Sequence, residues 1–249
     1  MHKPVRLWEI DSLRGIAIIL MVISNLATDI AFFGIFQLDA YGGFWLYFAR
    51  LVVSMFILLA GISLTLSYSR VKRRKPGEIH KKYLLRGGKI FSLGLLITLV
   101  TWIFLRQDFI LFGILHLIGF SIIFGQFLVK RSRLSLFLGA SFILAGLLLQ
   151  SFAFSFPWLV WLGFRPENYY TVDYVPVLPW FGLFLVGMFL GNTFYPKGKR
   201  RFHLRNSESG LLSPLQFLGR NSLKIYLIHQ PILIAALWLL FPFPHGFPF

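Results

Sequence analysis

Long runs of apolar residues alternate with short polar or basic segments along the whole chain. Seven runs approach or exceed the about 20 residues that a helix needs to cross the hydrocarbon core of a bilayer. They lie at roughly 12–33, 44–68, 88–105, 109–129, 134–153, 175–195 and 221–241. A shorter apolar patch at 152–164 is interrupted by Pro157, and we expect it to lie at the interface or to re-enter rather than cross. The pattern predicts an all-α, polytopic transmembrane helix bundle that forms one domain over residues 1–249.

The positive charge is distributed unevenly around these predicted spans. The chain carries 25 lysines and arginines against nine acids. With seven spans, all of the basic residues except Arg50, Arg106 and Arg165 fall on one side of the membrane. Loops rich in lysine and arginine face the cytoplasm, so the sequence predicts a cytoplasmic N-terminus and an outer C-terminus. This placement explains the charge without a nucleic-acid partner and favours contact with anionic lipid headgroups on the cytoplasmic face.

The first predicted span carries polar residues at both of its ends. Glu9, Asp11 and Arg14 cluster where it begins, and Asn25 and Asp29 lie in its second half. Because Asn25 and Asp29 are four residues apart, a helix places them on one face. Polar groups at this depth in a membrane are costly and usually mark a functional site.

Two histidines also lie inside predicted spans, His116 in the fourth and His229 in the seventh. Such a histidine either exchanges protons, as in acyl transfer to a hydroxyl or amine, or stays neutral and bonds neighbouring helices together. Arg50 in the second span either extends its charged end outward to the interface or pairs with Asp29, and we expect the pair, because it would neutralise two costly charges. No span contains a histidine or acid pair with metal-ligand spacing, so we expect no metal.

Two loops leave alternatives open. The nine basic residues from Arg70 to Lys89 suit either anionic lipid or a phosphate-rich cytoplasmic ligand such as coenzyme A. Before the sixth span, Arg165, Glu167 and Asp173 form a polar lip with Trp180, or else a solvated loop with an aromatic belt.

Five blocks of the sequence resemble the catalytic domain of the heparan-α-glucosaminide N-acetyltransferase family, a group of polytopic membrane acyltransferases. They occur in the family's order and cover most of the chain. The blocks are WEIDSLRGIAIILM at 8–21, MFILLAGISLTLS at 55–67, FGILHLIG at 112–119, PVLPWFG at 176–182 and LGRNSLKIYLIHQP at 218–231.

The resemblance implies that an acyl group, often acetyl, is taken from acyl-coenzyme A in the cytoplasm and passed to a sugar-type or other small acceptor at the outer face. It implies coenzyme A binding by basic residues and acceptor binding by polar or aromatic ones. The coenzyme A candidates are Arg14, Arg86 and Lys89. The acceptor candidates are Arg50, Asp173, Trp180 and Gln230.

The resemblance also implies catalytic candidates. Asn25 falls at an active-site asparagine position of the family, but the histidine that follows it there is missing, since no histidine occurs between His2 and His80. Asp29, His116 or His229 is then expected to take its place. The alternative is a non-catalytic membrane subunit or small-molecule transporter on the same fold. We expect the plasma membrane of a prokaryote, and the sequence leaves a homodimer open.

Overall fold

The computed structural model describes residues 7–74, 76–106, 108–167, 169, 171–203 and 210–241. Within these ranges the regular structure is helical, with no strand. The α-helices are α1 (Trp8–Phe32), α2 (Gly43–Arg74), α3 (Ile79–Leu105), α4 (Ile114–Gly125), α5 (Ser132–Leu149), α6 (Val177–Phe194), α7 (Ser213–Arg220) and α8 (Ser222–Leu240). All but α4 and α7 are long and apolar enough to cross a membrane. The predicted all-α polytopic fold is therefore confirmed.

The fourth predicted span, 109–129, is wrong in length. Helix α4 has 12 residues, or about 18 Å, against a hydrocarbon core of about 30 Å. The residues before it do not join the helix because their backbone bonds a second loop. Val172 N–H donates to Asp108 O at 3.3 Å, and Val175 N–H donates to Phe112 O at 3.1 Å. Six long helices and the short helix α4 thus occupy the seven predicted spans. The sidedness of the termini stays a prediction.

The apolar patch at 152–164 forms no spanning helix, as expected. Its regular structure is a single turn of 3₁₀-helix, Val160–Leu162. The chain on either side is irregular, apart from an isolated bridge between Phe154 and Pro166.

The chain forms two compact units, and the division falls inside α2. The first unit comprises Met1–Phe56 and Leu204–Phe249, and the second comprises Ile57–His203. The expectation of a single domain stays a prediction.

In the first unit, α1 packs on α2, α7 and α8. Ile18 and Met21 of α1 form a buried apolar cluster with Val52 of α2, and Ile225 and Tyr226 of α8 pack against it. Helix α7 approaches α1 so closely that a side chain on Gly15 or Gly219 would collide with the facing backbone.

In the second unit, glycines allow close crossings between helices. A Cβ on Gly187 of α6 would lie 2.5 Å from the carbonyl oxygen of Leu58 in α2. A Cβ on Gly182 would lie 2.6 Å from the carbonyl oxygen of Gly139 in α5. Small residues at these positions let the helix backbones meet without a side chain between them.

Candidate functional site

Four polar side chains meet between α1 and α8 in the first unit, and we name them the polar cluster: Asn25, Asp29, His229 and Gln230. Asn25 Nδ2 lies 2.6 Å from His229 Nε2, and Gln230 Nε2 donates to Asp29 Oδ1 at 2.6 Å. Asn25 and Asp29 share one face of α1, as the four-residue spacing predicts. The cluster therefore joins the two helices through two consecutive cross-helix hydrogen bonds.

The hydrogen bonds of His229 assign its tautomer. His229 Nδ1 lies 2.7 Å from the carbonyl oxygen of Tyr226. Because a carbonyl can only accept, Nδ1 carries the proton, and in a neutral ring Nε2 then has a lone pair. Asn25 donates its amide N–H to that lone pair. The ring is thus held as a neutral imidazole whose basic nitrogen faces α1.

Packing of the neighbouring residues fixes this geometry. Tyr226, whose carbonyl holds the His229 ring, belongs to the apolar layer between α1, α2 and α8. Pro231 follows the cluster directly inside α8. It has no N–H, so the helical bond to the carbonyl of Leu227 is missing.

Asp29 is the one acid of the polar cluster, and only 6% of its surface is exposed. Its Oδ1 accepts from Gln230, whereas the buried Oδ2 has no hydrogen-bond partner among the described residues. The predicted Arg50–Asp29 pair is wrong, since the structure forms no salt bridge between these two described residues. Arg50 lies two turns into α2 and its side chain is exposed, as expected for a long cationic chain that reaches out of an apolar region.

At the other end of α1, Arg14 is held by protein groups. Its Nη1 lies 3.5 Å from Asp11 Oδ1 and 3.5 Å from the carbonyl oxygen of Gly219. Arg220 Nε lies 3.6 Å from Asp11 Oδ2. These contacts fasten α7 to α1. Arg14 precedes Asn25 by three turns, or about 16 Å of helix.

His116 belongs to the second unit and is 2% exposed. Its Nδ1 accepts from the backbone N–H of Gly113 at 3.2 Å, which satisfies a free donor at the start of α4. Its Nε2 lies 3.3 Å from Thr98 Oγ1, whose own proton goes to the carbonyl of Ile110 at 2.6 Å. Both ring nitrogens are therefore used in structural hydrogen bonds.

Two aromatic rings enclose the same histidine. Phe91 meets the His116 ring edge-on with centroids 5.2 Å apart, and Phe112 stacks on it at 5.4 Å. Of the two interpretations open for His116, this environment favours the packing histidine.

Asp173 also supports α4. Its Oδ2 accepts from Ile114 N–H at 3.3 Å, at the N-terminal end of the helix where a carboxylate is favourable. Burial raises the pKa of Asp173 to about 6, while the hydrogen bond from Ile114 acts in the opposite direction. Trp180 lies at the start of α6 and is half-buried. A substrate-binding role for either residue stays a prediction.

Arg86 and Lys89 are exposed and lie one turn apart near the start of α3, in the second unit. Residues three apart on a helix are neighbours, so both cations face the same direction. The chemistry of this pair fits a phosphate group.

The sequence did not identify Tyr226 as a functional position. Tyr226 contributes its main-chain carbonyl oxygen, which lies three residues before His229. Because every helical residue has such a carbonyl, the sequence gives no sign that this one holds the His229 ring. The spacing of the two residues was visible, but the direction of the His229 ring was not.

The fold and the polar cluster first define the class of protein. Six apolar helices of spanning length, two of them joined through partly buried polar side chains, characterise a multi-pass integral membrane protein. The chain belongs to the family described as heparan-alpha-glucosaminide N-acetyltransferase, catalytic, whose sequence model matches residues 6–231. That match confirms the resemblance and indicates a membrane acetyltransferase-like function. It covers all four residues of the polar cluster. No curated protein and no solved structure matches the chain.

Proposed function

We propose that this protein transfers an acyl group, with acetyl as the simplest case, from acyl-coenzyme A to a hydroxyl or amine of a sugar-type acceptor. His229 is the general base. The observation that carries the proposal is the assigned tautomer of His229, because the lone pair on Nε2 is the group that a base needs. His116, with both nitrogens in structural bonds, is not the base in this proposal.

The proposed reaction begins when the acceptor replaces Asn25 on His229 Nε2. The acceptor oxygen or nitrogen attacks the thioester carbonyl carbon while its proton passes to Nε2. The carbonyl π electrons move onto oxygen and form an oxyanion. When the carbon–sulfur bond breaks, the carbonyl re-forms, and His229 returns the proton to the leaving sulfur. Coenzyme A departs as a thiol, and the enzyme regains its starting protonation state.

Asn25 has two roles in this scheme. Before the reaction its amide N–H occupies Nε2 and holds the neutral tautomer. Once the acceptor displaces it, the same N–H is available to the oxyanion. Removing one such donor typically costs about 10²–10³ in kcat.

Basic residues would bind the phosphates of coenzyme A in this proposal. Arg86 and Lys89 are exposed and suited to that role. Arg14 is already bound to Asp11 and Gly219, so a phosphate there would compete with a carboxylate. We therefore assign the phosphates to Arg86 and Lys89 first. The basic loops also support a cytoplasmic donor and an outer acceptor.

The test is acetyl transfer by purified protein in detergent, with radiolabelled acetyl-coenzyme A and a panel of amino sugars and neutral sugars. His229→Gln keeps a polar side chain but removes the base, and turnover should fall by about 10²–10⁴. His116→Gln is the matched control, and its turnover per folded molecule should stay near that of the wild type. Wild-type turnover in the His229 variant would contradict the proposal.

The second candidate is a non-catalytic membrane subunit or transporter. The two cross-helix hydrogen bonds favour it, because they satisfy polar groups as pure packing contacts would. This candidate predicts that the wild type neither turns over nor binds acetyl-coenzyme A in calorimetry. Its His229→Gln variant would then lose stability and nothing else.

A further inference from the structure

The buried oxygen Oδ2 of Asp29 is an acceptor without a donor. Asp29 is more than nine-tenths buried, and Oδ2 has no hydrogen-bond partner within the described residues. Leaving a buried polar group unsatisfied is costly, and more so for a group that can carry charge. Native proteins keep such groups rarely, and each one requires an explanation.

The neighbouring side chains have their polar groups engaged elsewhere. Gln230 donates to Oδ1 of the same carboxyl, and the Asn25 amide points at His229. Arg50, the cation expected to pair with Asp29, is exposed and unpaired with it. The polar cluster therefore offers a hydrogen-bond acceptor that its own members leave open.

Asp29 lies between the Phe32 end of α1 and Asn25. Asp29 lies in the last turn of α1, which ends at Phe32. Asn25, which bonds His229 Nε2, lies one turn further into the helix, or about 6 Å along its axis. A molecule that enters from the Phe32 end therefore meets Asp29 before it reaches Nε2.

We infer that Asp29 Oδ2 binds the acceptor, by accepting a hydrogen bond from a hydroxyl or ammonium group beside the group that is acylated. Gln230 is a positioning residue, because its bond to Oδ1 fixes the direction of Oδ2. The inference rests on the proposed function, since it makes Asp29 the residue that selects acceptors carrying a second donor group.

Steady-state kinetics test this role. The probes are glucosamine, which offers an ammonium, and methyl α-glucoside, which offers only hydroxyls. Asp29→Asn should raise KM for a bound probe by about 10- to 100-fold, and the KM for acetyl-coenzyme A should change by much less. If KM rises for glucosamine alone, the group that Asp29 binds is an ammonium. If KM rises for both probes, that group is a hydroxyl. Asp39→Asn, an exposed acid in the following loop, is the matched control.

Unchanged KM values for both probes in Asp29→Asn would overturn the inference. So would a fall in kcat alone, because that result assigns Asp29 to the chemical step. Rescue by Asp29→Glu, which restores a carboxylate, would support it further.

Calorimetry without acetyl-coenzyme A separates this inference from the proposed function. The wild type, Asp39→Asn and His229→Gln should bind a probe, and Asp29→Asn should bind it at least tenfold more weakly. If binding follows this pattern but neither the wild type nor any variant transfers acetyl, the proposed function fails and the acceptor-binding site stands. If the wild type binds neither probe, the inference fails. A melting temperature and a gel-filtration profile confirm that each variant is folded.

Discussion

Replacing His116 with alanine removes a side chain that holds the start of α4. Gly113 N–H loses its acceptor and Thr98 Oγ1 loses a donor. Each such bond in a membrane protein contributes about 0.6 kcal/mol. The ring contacts with Phe91 and Phe112 contribute about 0.5–1.5 kcal/mol each. We therefore expect the variant to lose about 2–4 kcal/mol of unfolding free energy.

The assay is reversible unfolding in mixed micelles, with sodium dodecyl sulfate as the denaturant and circular dichroism as the signal. Thr98→Val removes the acceptor of the Nε2 proton while the histidine ring stays, and it should cost about 1 kcal/mol. Because the two residues share a contact, the double variant should lose less than the sum of the single losses.

The same samples distinguish a structural from a catalytic histidine. Acetyl transfer per mole of folded His116→Ala protein should lie within about twofold of the wild type, since both ring nitrogens of His116 are used in structural hydrogen bonds and the proposal assigns it no chemical role. A variant with wild-type stability and no turnover would refute the reasoning. That result would make His116, rather than His229, the candidate for the general base.

Three further predictions concern other parts of the chain. Asn25→Leu removes the donor to the imidazole of His229, the proposed base, so kcat should fall by about 10²–10³ while the KM for acetyl-coenzyme A stays constant in initial-rate assays. Because the folded-state pKa of Asp173 is raised from 3.8 to about 6, its contribution to stability is present below about pH 4 and is lost as the pH rises through 6. The melting temperature of the wild type should therefore fall over that window relative to Asp173→Asn, and equal slopes would contradict the assignment. Gly15→Ala should cost about 1–3 kcal/mol because its Cβ collides with the backbone of α7. Gly88→Ala meets open space and should be neutral or stabilising in the same unfolding assay.

The long helices were predictable because each spans a membrane with an uninterrupted apolar run. The shared face of Asn25 and Asp29 followed from helical periodicity alone. The length of helix α4 was overestimated because residues 109–113 are as apolar as the helix that follows them. Their backbone pairing with 171–175 depends on a loop more than 50 residues away, which hydropathy does not report.

The pairing within the polar cluster was not predictable either. Asn25 and His229 are 204 residues apart, and Asp29 and Gln230 are 201 apart. The sequence identified each as a polar residue in an apolar helix, but it offered Arg50 as the partner of Asp29 on charge alone. In the structure a neutral amide donates to one oxygen of that carboxyl, and the arginine side chain is exposed instead.

The separation of these partners has a consequence for biosynthesis. Helix α1 leaves the ribosome early, and its two polar residues remain without partners until α8 has been made and inserted. The second unit lies between them in the sequence, so it is complete before the first unit can close. A chain that stalls or is cut before Ser222 carries Asn25 and Asp29 as unsatisfied polar groups in a membrane helix. Such a fragment lacks His229 and Gln230, so the two hydrogen bonds that join α1 to α8 cannot form in it.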